Sequence, residues 1–256
     1  MIVPRLLLFL QVQNAQIQHE ALWVLTNIAS GSDSYTNFIV ISGAVPLLIP
    51  LLHSPDKDVK VQAIWCLSNI CGDAVHKPIL LQNNILRILS QMLERDNDVE
   101  VLSKSMWVLS NLCRGPGVPA LEVVVEILNI LKKYITCEEE EVLLDLCWAL
   151  SYISGHGDQY QQAVIDADIV PEAIELMSDA RKTIQVPALR FIGNFTFGDD
   201  IKTQYILDKG ALHHFGSLIK SPSSKLQKEA CWALSNSSLL FLSFFEFHSY
   251  KKNFFV

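Results

Sequence analysis

The sequence predicts an all-α chain built as an array of repeats, and three observations carry that prediction. Tryptophans recur on a fixed period. Trp23, Trp65, Trp107 and Trp148 are spaced by 42, 42 and 41 residues, and Trp232 follows after 84, two periods, with Arg190 at the midpoint. Four residues past these six positions stand Asn27, Asn69, Asn111, Tyr152, Asn194 and Asn236. Between the markers, apolar residues fall at helical spacing. Val45, Leu48, Ile49 and Leu52 follow i, i+3, i+4, i+7, and Val59, Ala63, Cys66 and Leu67 form a similar stripe, as a helix with one buried face requires. No segment alternates strictly enough for a strand hairpin.

The elements of one unit follow in order. About 22 residues before a marker, a turn dipeptide opens an apolar helix: Gly43-Ala44, Asn84-Ile85, Asp168-Ile169 and Gly210-Ala211. A second break precedes the marker helix: Ser54-Pro55, Asp96-Asn97, Ser178-Asp179 and Ser221-Pro222. Both breaks are made of turn-forming residues. After the marker helix and its Gly/Ser turn comes a short helix, for example over 35–42. A period of roughly 40–47 residues with two or three helices is that of an armadillo or HEAT solenoid. The expected array covers 1–236, about six repeats of ~42 residues with three helices each, wound as a right-handed superhelix and partial at both ends. From Ser237 the pattern fails. The segment 237–256 carries six of the chain's twelve Phe and reads as an unrelated hydrophobic tail, an alternative end. Solenoid ends need polar-faced caps, so poor solubility or self-association is expected.

Composition narrows the function. Lys+Arg number 20 and Asp+Glu 27, a net charge of −7. Such a chain is a poor general binder of nucleic acid, which needs clustered cations, and suits a basic partner. With 50% hydrophobic and 18% charged residues, disorder over most of the chain is excluded. The apolar patch Leu6–Leu10 is too short for a signal core, and no stretch reaches the ~18 apolar residues of a membrane helix. The six cysteines form no CxxC pair, so they read as buried thiols in a reducing compartment rather than zinc ligands. The seven histidines are scattered, and no HExxH, GxSxG or P-loop pattern occurs, so no enzyme, metal or cofactor is expected. The run Glu138–Glu141 reads as a solvated helix start.

The markers point to a binding surface. Trp at i and Asn at i+4 share one helix face, while Leu67 and Ile70 are spaced as a core pair. A repeated Asn in the core would need partners, at about 1–3 kcal/mol each if unmet. The ladder is therefore expected on the exposed, concave side. Slots between indole rings accept Lys and Arg stems. An Asn amide can hold both polar groups of an extended peptide backbone, and Asp73 and Asp145 lie near enough to take cationic heads. At ~10 Å per repeat and ~3.4 Å per extended residue, three repeats cover roughly nine peptide residues.

With these residues assembled, the chain resembles the importin-α family, the armadillo adapters for nuclear localisation signals. Over about residues 2–236, VPRLLLFLQ, LTNIASG, IWCLSNICGD, WVLSNLCRG, LDLCWALSYISG and RFIGNFTFGDD match family segments in order. Arg190 for Trp and Tyr152 for Asn fall where the family also departs from its pattern. The resemblance implies a larger groove that binds a Lys/Arg-rich signal in extended form at Trp23, Asn27, Trp65, Asn69, Trp107 and Asn111. Its lysine pocket maps to Gly31, Thr36 and Asp73, with Asp145, Trp148 and Tyr152 flanking. A smaller groove, incomplete here, maps to Arg190, Asn194, Asp200, Thr203, Glu229, Trp232 and Asn236. Val61 stands where the family usually has an acid, and Phe197 replaces a family threonine. The implied partners are basic cargo proteins in cytoplasm and nucleus, with no nucleic acid and no membrane. By that alignment the chain runs from the second repeat into the seventh, without the importin-β-docking segment or the export-factor site, as a partial or isoform version would. The alternatives are an armadillo scaffold without a transport role and a truncated product with none.

Overall fold

The computed structural model describes residues 2–117, 119–197 and 200–236, and within them every regular element is helical. The tail over 237–256, with the cap or self-association expected of it, lies outside the described residues. Two compact units divide the chain, Met1–Leu131 and Lys132–Val256.

The first unit holds α1 (Val3–Phe9), α2 (Ala15–Ala29), α3 (Asp33–Ile41), α4 (Ala44–Leu48), α5 (Lys57–Cys71), α6 (Lys77–Gln82), α7 (Ile85–Leu93), α8 (Val99–Cys113) and nearly all of α9 (Leu121–Lys132). Short 3-10 turns extend α4 over Ile49–His53 and precede α6 over Ala74–His76. The second unit holds α10 (Glu140–Ser154), α11 (Asp158–Asp166), α12 (Val170–Glu175), α13 (Lys182–Phe195), α14 (Asp200–Asp208), α15 (Ala211–Ile219) and α16 (Ser224–Asn236). The marker helices are α2, α5 and α8 in one unit and α10, α13 and α16 in the other, each packed against the next within its unit. Their inner faces make the core: Leu22, Leu25, Ile64, Leu67, Leu109 and Leu112 in the first unit, and Leu146, Leu150, Phe191 and Phe195 in the second, all fully buried. Each such side chain contributes about 1.5–3 kcal/mol.

The predicted breaks have a backbone cause. Gly43, Asn84, Asp168 and Gly210 take φ values of 89, 56, 51 and 96°, the left-handed region that only Gly, Asn and Asp enter at little cost. The marker helices also start on a register the repeat search passed over. Nine residues before the tryptophan, Asn14, Asp56 and Asp98 cap α2, α5 and α8, accepting from the backbone N–H of Ile17 (3.1 Å), Val59 (3.0 Å) and Glu100 (3.0 Å). The ends of α2, α10 and α13 are closed by a donor from the short helix that follows. Thr36, Gln161 and Thr203 occupy one register, are buried, and donate to the carbonyls of Ala29 (3.1 Å), Ser154 (3.1 Å) and Phe195 (3.1 Å). These are carbonyls the helix itself leaves unpaired. Lys77, in the same register and 3% exposed, donates to the Arg114 carbonyl, and burial lowers its pKa.

One repeat departs from three helices. Between α8 and α9 the place of the short helix is taken by a loop with Gly115, Pro116, Gly117 and Pro119, in which both glycines have φ near 80° (77 and 84°). Prolines and left-handed glycines cannot sustain a helical turn there. Cys66, Cys71, Cys113 and Cys147 are buried thiols pushed up to about 12 by burial, while Cys137 is half-buried and Cys231 exposed.

The second breaks carry carboxylates held below their ordinary range by neighbouring cations. Lys60 does this to Asp96, Lys57 to Asp98, and Arg181 to Asp179 through paired 2.8 Å hydrogen bonds. A depressed folded-state pKa stabilises the fold above the unfolded carboxylate value and is lost as pH falls through the folded one. Urea midpoints are therefore expected to stay level from neutrality to about pH 5 and to fall below about pH 4. Asp96→Asn and Asp179→Asn variants should show a shallower acid loss, and an unaltered pH profile in both would contradict this assignment.

Candidate functional site

The first unit brings most of the larger-groove positions to one face. Trp23 and Trp65 are 54% and 40% exposed, Trp107 is half-buried, and Leu22, Leu25, Ile64 and Leu67 turn inward on the same helices. Below the rings, between the ends of α2, α5 and α8, lies a cavity of about 530 Å³ whose walls include Gly31, Thr36, Asn69, Asp73, Trp107 and Asn111. Gly31 lies where its own helix end leaves little room for a side chain. A Cβ there would stand 3.0 Å from the Tyr35 ring and 3.1 Å from the Ile28 carbonyl. Asp73 caps the turn before α6, its Oδ1 accepting from the Val75 N–H at 3.1 Å, and its side chain is 25% exposed. Nε2 of buried His76 is 3.7 Å from Asp73 Oδ2, too long for a hydrogen bond. Arg114 and Pro116, which the sequence reading did not single out, form the far wall, and Arg114 donates to the Gly72 carbonyl.

Two expectations need correction. The asparagines are not an open-face ladder. Asn27 is exposed, but Asn69 and Asn194 are half-buried and Asn111 is 5% exposed. The amide nitrogens of Asn69, Asn111 and Asn194 donate to the carbonyls of Thr26 (3.2 Å), Ser68 (3.1 Å) and Ser151 (2.8 Å). Each partner lies 43 residues earlier, in the last turn of the preceding marker helix. Each amide therefore ties two repeats together; Asn69 and Asn111 keep one N–H and the oxygen to offer, while the Asn194 nitrogen also donates to the Ser154 hydroxyl at 2.9 Å. Second, Thr36 and Thr203 are buried with their hydroxyls already donated to helix ends, so they shape the surroundings rather than present a polar group. Val61, where the family usually has an acid, is a packed valine, 6% exposed.

The second unit places Trp148 and Tyr152 on α10 with rings stacked at 5.7 Å and 23°, and Asp145 half-buried three residues before Trp148. On α13, Arg190 lies 5.3 Å over the Trp232 ring and donates through Nε to Glu229 at 2.6 Å, with a second, shorter contact from its terminal nitrogen. The chain's own guanidinium therefore fills this slot and engages its acid. A cavity of about 780 Å³ is walled by Asn194, Phe197, Trp232, Gln161 and Asp158. Phe197 is 72% exposed at its mouth. Asp200 is exposed and outside that wall, and Asn236, last of the described residues, has no partner for its amide nitrogen.

The armadillo/beta-catenin-like repeat family matches residues 2–30, 32–72, 73–114 and 199–236. Importin subunit alpha-3 of Arabidopsis thaliana is 42% identical over 234 residues, covering 90% of this chain and 44% of that protein. The chain belongs to the importin-α family of armadillo-repeat proteins. Importin subunit alpha-1b of Oryza sativa subsp. japonica is likewise 42% identical over 234 residues, and importin subunit alpha-B of Dictyostelium discoideum is 43% identical over 211 residues, or 77% of this chain and 39% of that one. The chain thus spans less than half the length of these curated relatives. Among solved structures, an engineered protein superposes with a TM-score of 0.84 at 28% identity, over 93% of this chain and 97% of that one. A designed armadillo repeat protein in complex with the peptide (KR)4 gives 0.85 at 25% identity, over 93% and 100%.

Proposed function

We propose that this importin-α family chain is a non-catalytic adapter for nuclear import that binds Lys/Arg-rich segments of cargo proteins in extended form, working in cytoplasm and nucleus. One observation carries the reading. One cavity in the first unit is lined by a carboxylate, Asp73, by the Asn69 and Asn111 amides, by the Trp107 ring and by Gly31. A lysine entering it meets apolar contact along its stem, a charge-assisted hydrogen bond at its head and an amide for its backbone. The net charge of −7 has the sign that steers a cationic ligand inward. The relatives named importin subunit alpha and the designed armadillo protein solved with (KR)4 support the same ligand class.

In this proposal Trp23, Trp65 and Trp107 flank the peptide in the first unit, and Asp145, Trp148 and Tyr152 offer an acid and two rings in the second. The Arg190–Glu229 pair makes the Trp232 region the weaker site for a cation. We assign no residue among 2–236 to importin-β. Fluorescence anisotropy with a labelled PKKKRKV peptide tests the reading. Saturable binding below ~100 μM that weakens with added salt is expected, and its absence from the folded protein removes the proposal.

A further inference from the structure

We propose that Lys104 is a specificity-determining residue that fills the slot between Trp65 and Trp107 with the chain's own cation, so that a basic ligand must place a non-cationic residue there. This rests on the peptide-binding reading above and refines it. Lys104 lies on α8 three residues before Trp107, and side chains of a helix lean toward its N-terminus. Its stem runs back over the preceding repeat. The ammonium sits 5.4 Å from the Trp65 ring and 6.0 Å from the Trp107 ring, within the reach of cation–π attraction. Incoming Lys or Arg would need the same two ring faces and would meet a like charge.

The chain's own repeats show that this register is exceptional. Three residues before the other markers stand Glu20, Gln62, Asp145, Pro187 and Glu229. Three of these are acids, and Lys104 alone reverses the sign. The buried side of the helix gives a second, independent sign. One repeat earlier, Gln62 Nε2 reaches inward and donates to the Thr26 hydroxyl at 2.8 Å. The counterparts of Gln62 and Thr26 one repeat on are Lys104 and Ser68. The Ser68 hydroxyl is buried without a hydrogen-bond partner. Lys104 has left that seat to stand between the indoles.

A ligand answering this chemistry is an extended peptide that is basic around the Asp73 cavity and neutral or acidic at the step over Lys104. An acid there gains the ammonium as a partner. The test uses Lys104→Gln, which supplies the residue found at the Gln62 position, keeps a donor for Ser68 and preserves the fold. PKKKRKV and five variants, each with one cation replaced by Glu, are titrated by anisotropy against both proteins. The parent peptide is expected to bind Lys104→Gln about 3- to 10-fold tighter than the native chain. One Glu variant should bind the native chain as well as the parent does, yet lose about tenfold on Lys104→Gln, a coupling read by the double-mutant cycle. Thermal midpoints of the two proteins should agree or favour the variant. Binding by both proteins with no gain and no position-specific coupling overturns the role of Lys104 and leaves the groove reading standing. Binding by neither folded protein overturns both.

Discussion

Replacing Asp73 by asparagine is expected to weaken binding of a basic peptide by about 5- to 10-fold while leaving thermal stability unchanged. Two roles meet at this residue, and the substitution separates them. Asp73 caps the turn over Ala74–His76 by accepting from Val75 N–H, a role asparagine fills equally well. It also supplies the carboxylate of the first-unit cavity, which asparagine does not. A hydrogen bond between ammonium and carboxylate contributes about 1.5–3 kcal/mol, against about 0.5–1.5 kcal/mol for a neutral pair. The difference, about 1–1.5 kcal/mol at 1.4 kcal/mol per tenfold, gives the stated range when one lysine of the ligand enters the cavity. Asp73→Lys adds repulsion and should abolish measurable binding. Asp73→Ala is the poor test, since it loses the cap at about 1 kcal/mol as well. Equal affinity of the native and Asp73→Asn proteins for PKKKRKV at moderate salt would place the ligand's lysine elsewhere.

The repeat, the marker helices and the exposed indoles were legible because they depend on period and helix face alone, and both are properties of a linear string. The turn dipeptides were legible for a similar reason: the left-handed backbone at Gly43, Asn84, Asp168 and Gly210 restricts residue type. The asparagines were misplaced because their partners are not side chains. A buried amide is costly only where nothing accepts from it. Here the 42-residue period sets a last-turn carbonyl of the preceding marker helix beside each of Asn69 and Asn111, and that carbonyl, which already accepts from its own helix end (Ser30 N–H to Thr26, Gly72 N–H to Ser68), takes the amide on its second lone pair. That signal was present, since each asparagine stands within the last turn of its helix. Lys104 was equally visible, three residues before Trp107 in a register that carries an acid in three of the other five repeats. The loop at Gly115–Gly117 could be read as a loop; its replacing a whole helix could not, since the marker interval there shrinks by only one residue.

Gly193→Val is expected to destabilise the second unit by about 2–3 kcal/mol, against the direction that helix propensity alone predicts. Gly193 sits inside α13, where an exposed glycine would gain up to about 1 kcal/mol on replacement by alanine. Its position is what reverses the sign. A Cβ there would stand 2.6 Å from Trp232 Cζ3, 3.2 Å from Cε3 and 3.1 Å from the Ala233 Cβ. The same register carries Thr26, Ser68, Ser110, Ser151 and Ser235 in the other marker helices, so Gly193 is the one position of the six without a side chain. Overpacking of this kind costs about 1–3 kcal/mol, which exceeds the propensity gain for alanine by a small margin. Valine adds two methyl groups and loses part of the gain through β-branching. The ring cannot yield freely, because Arg190 lies over it and is tied to Glu229. Indole fluorescence during urea titration should report an earlier transition in Gly193→Val and a smaller shift in Gly193→Ala. Affinity for the basic peptide at the Asp73 cavity, in the other unit, should stay within about twofold, since stability terms of separate repeats are additive to first order. Stabilisation of about 1 kcal/mol by Gly193→Ala would mean that α16 does not hold its tryptophan against α13, and the Arg190–Trp232 stack would have to be abandoned with it.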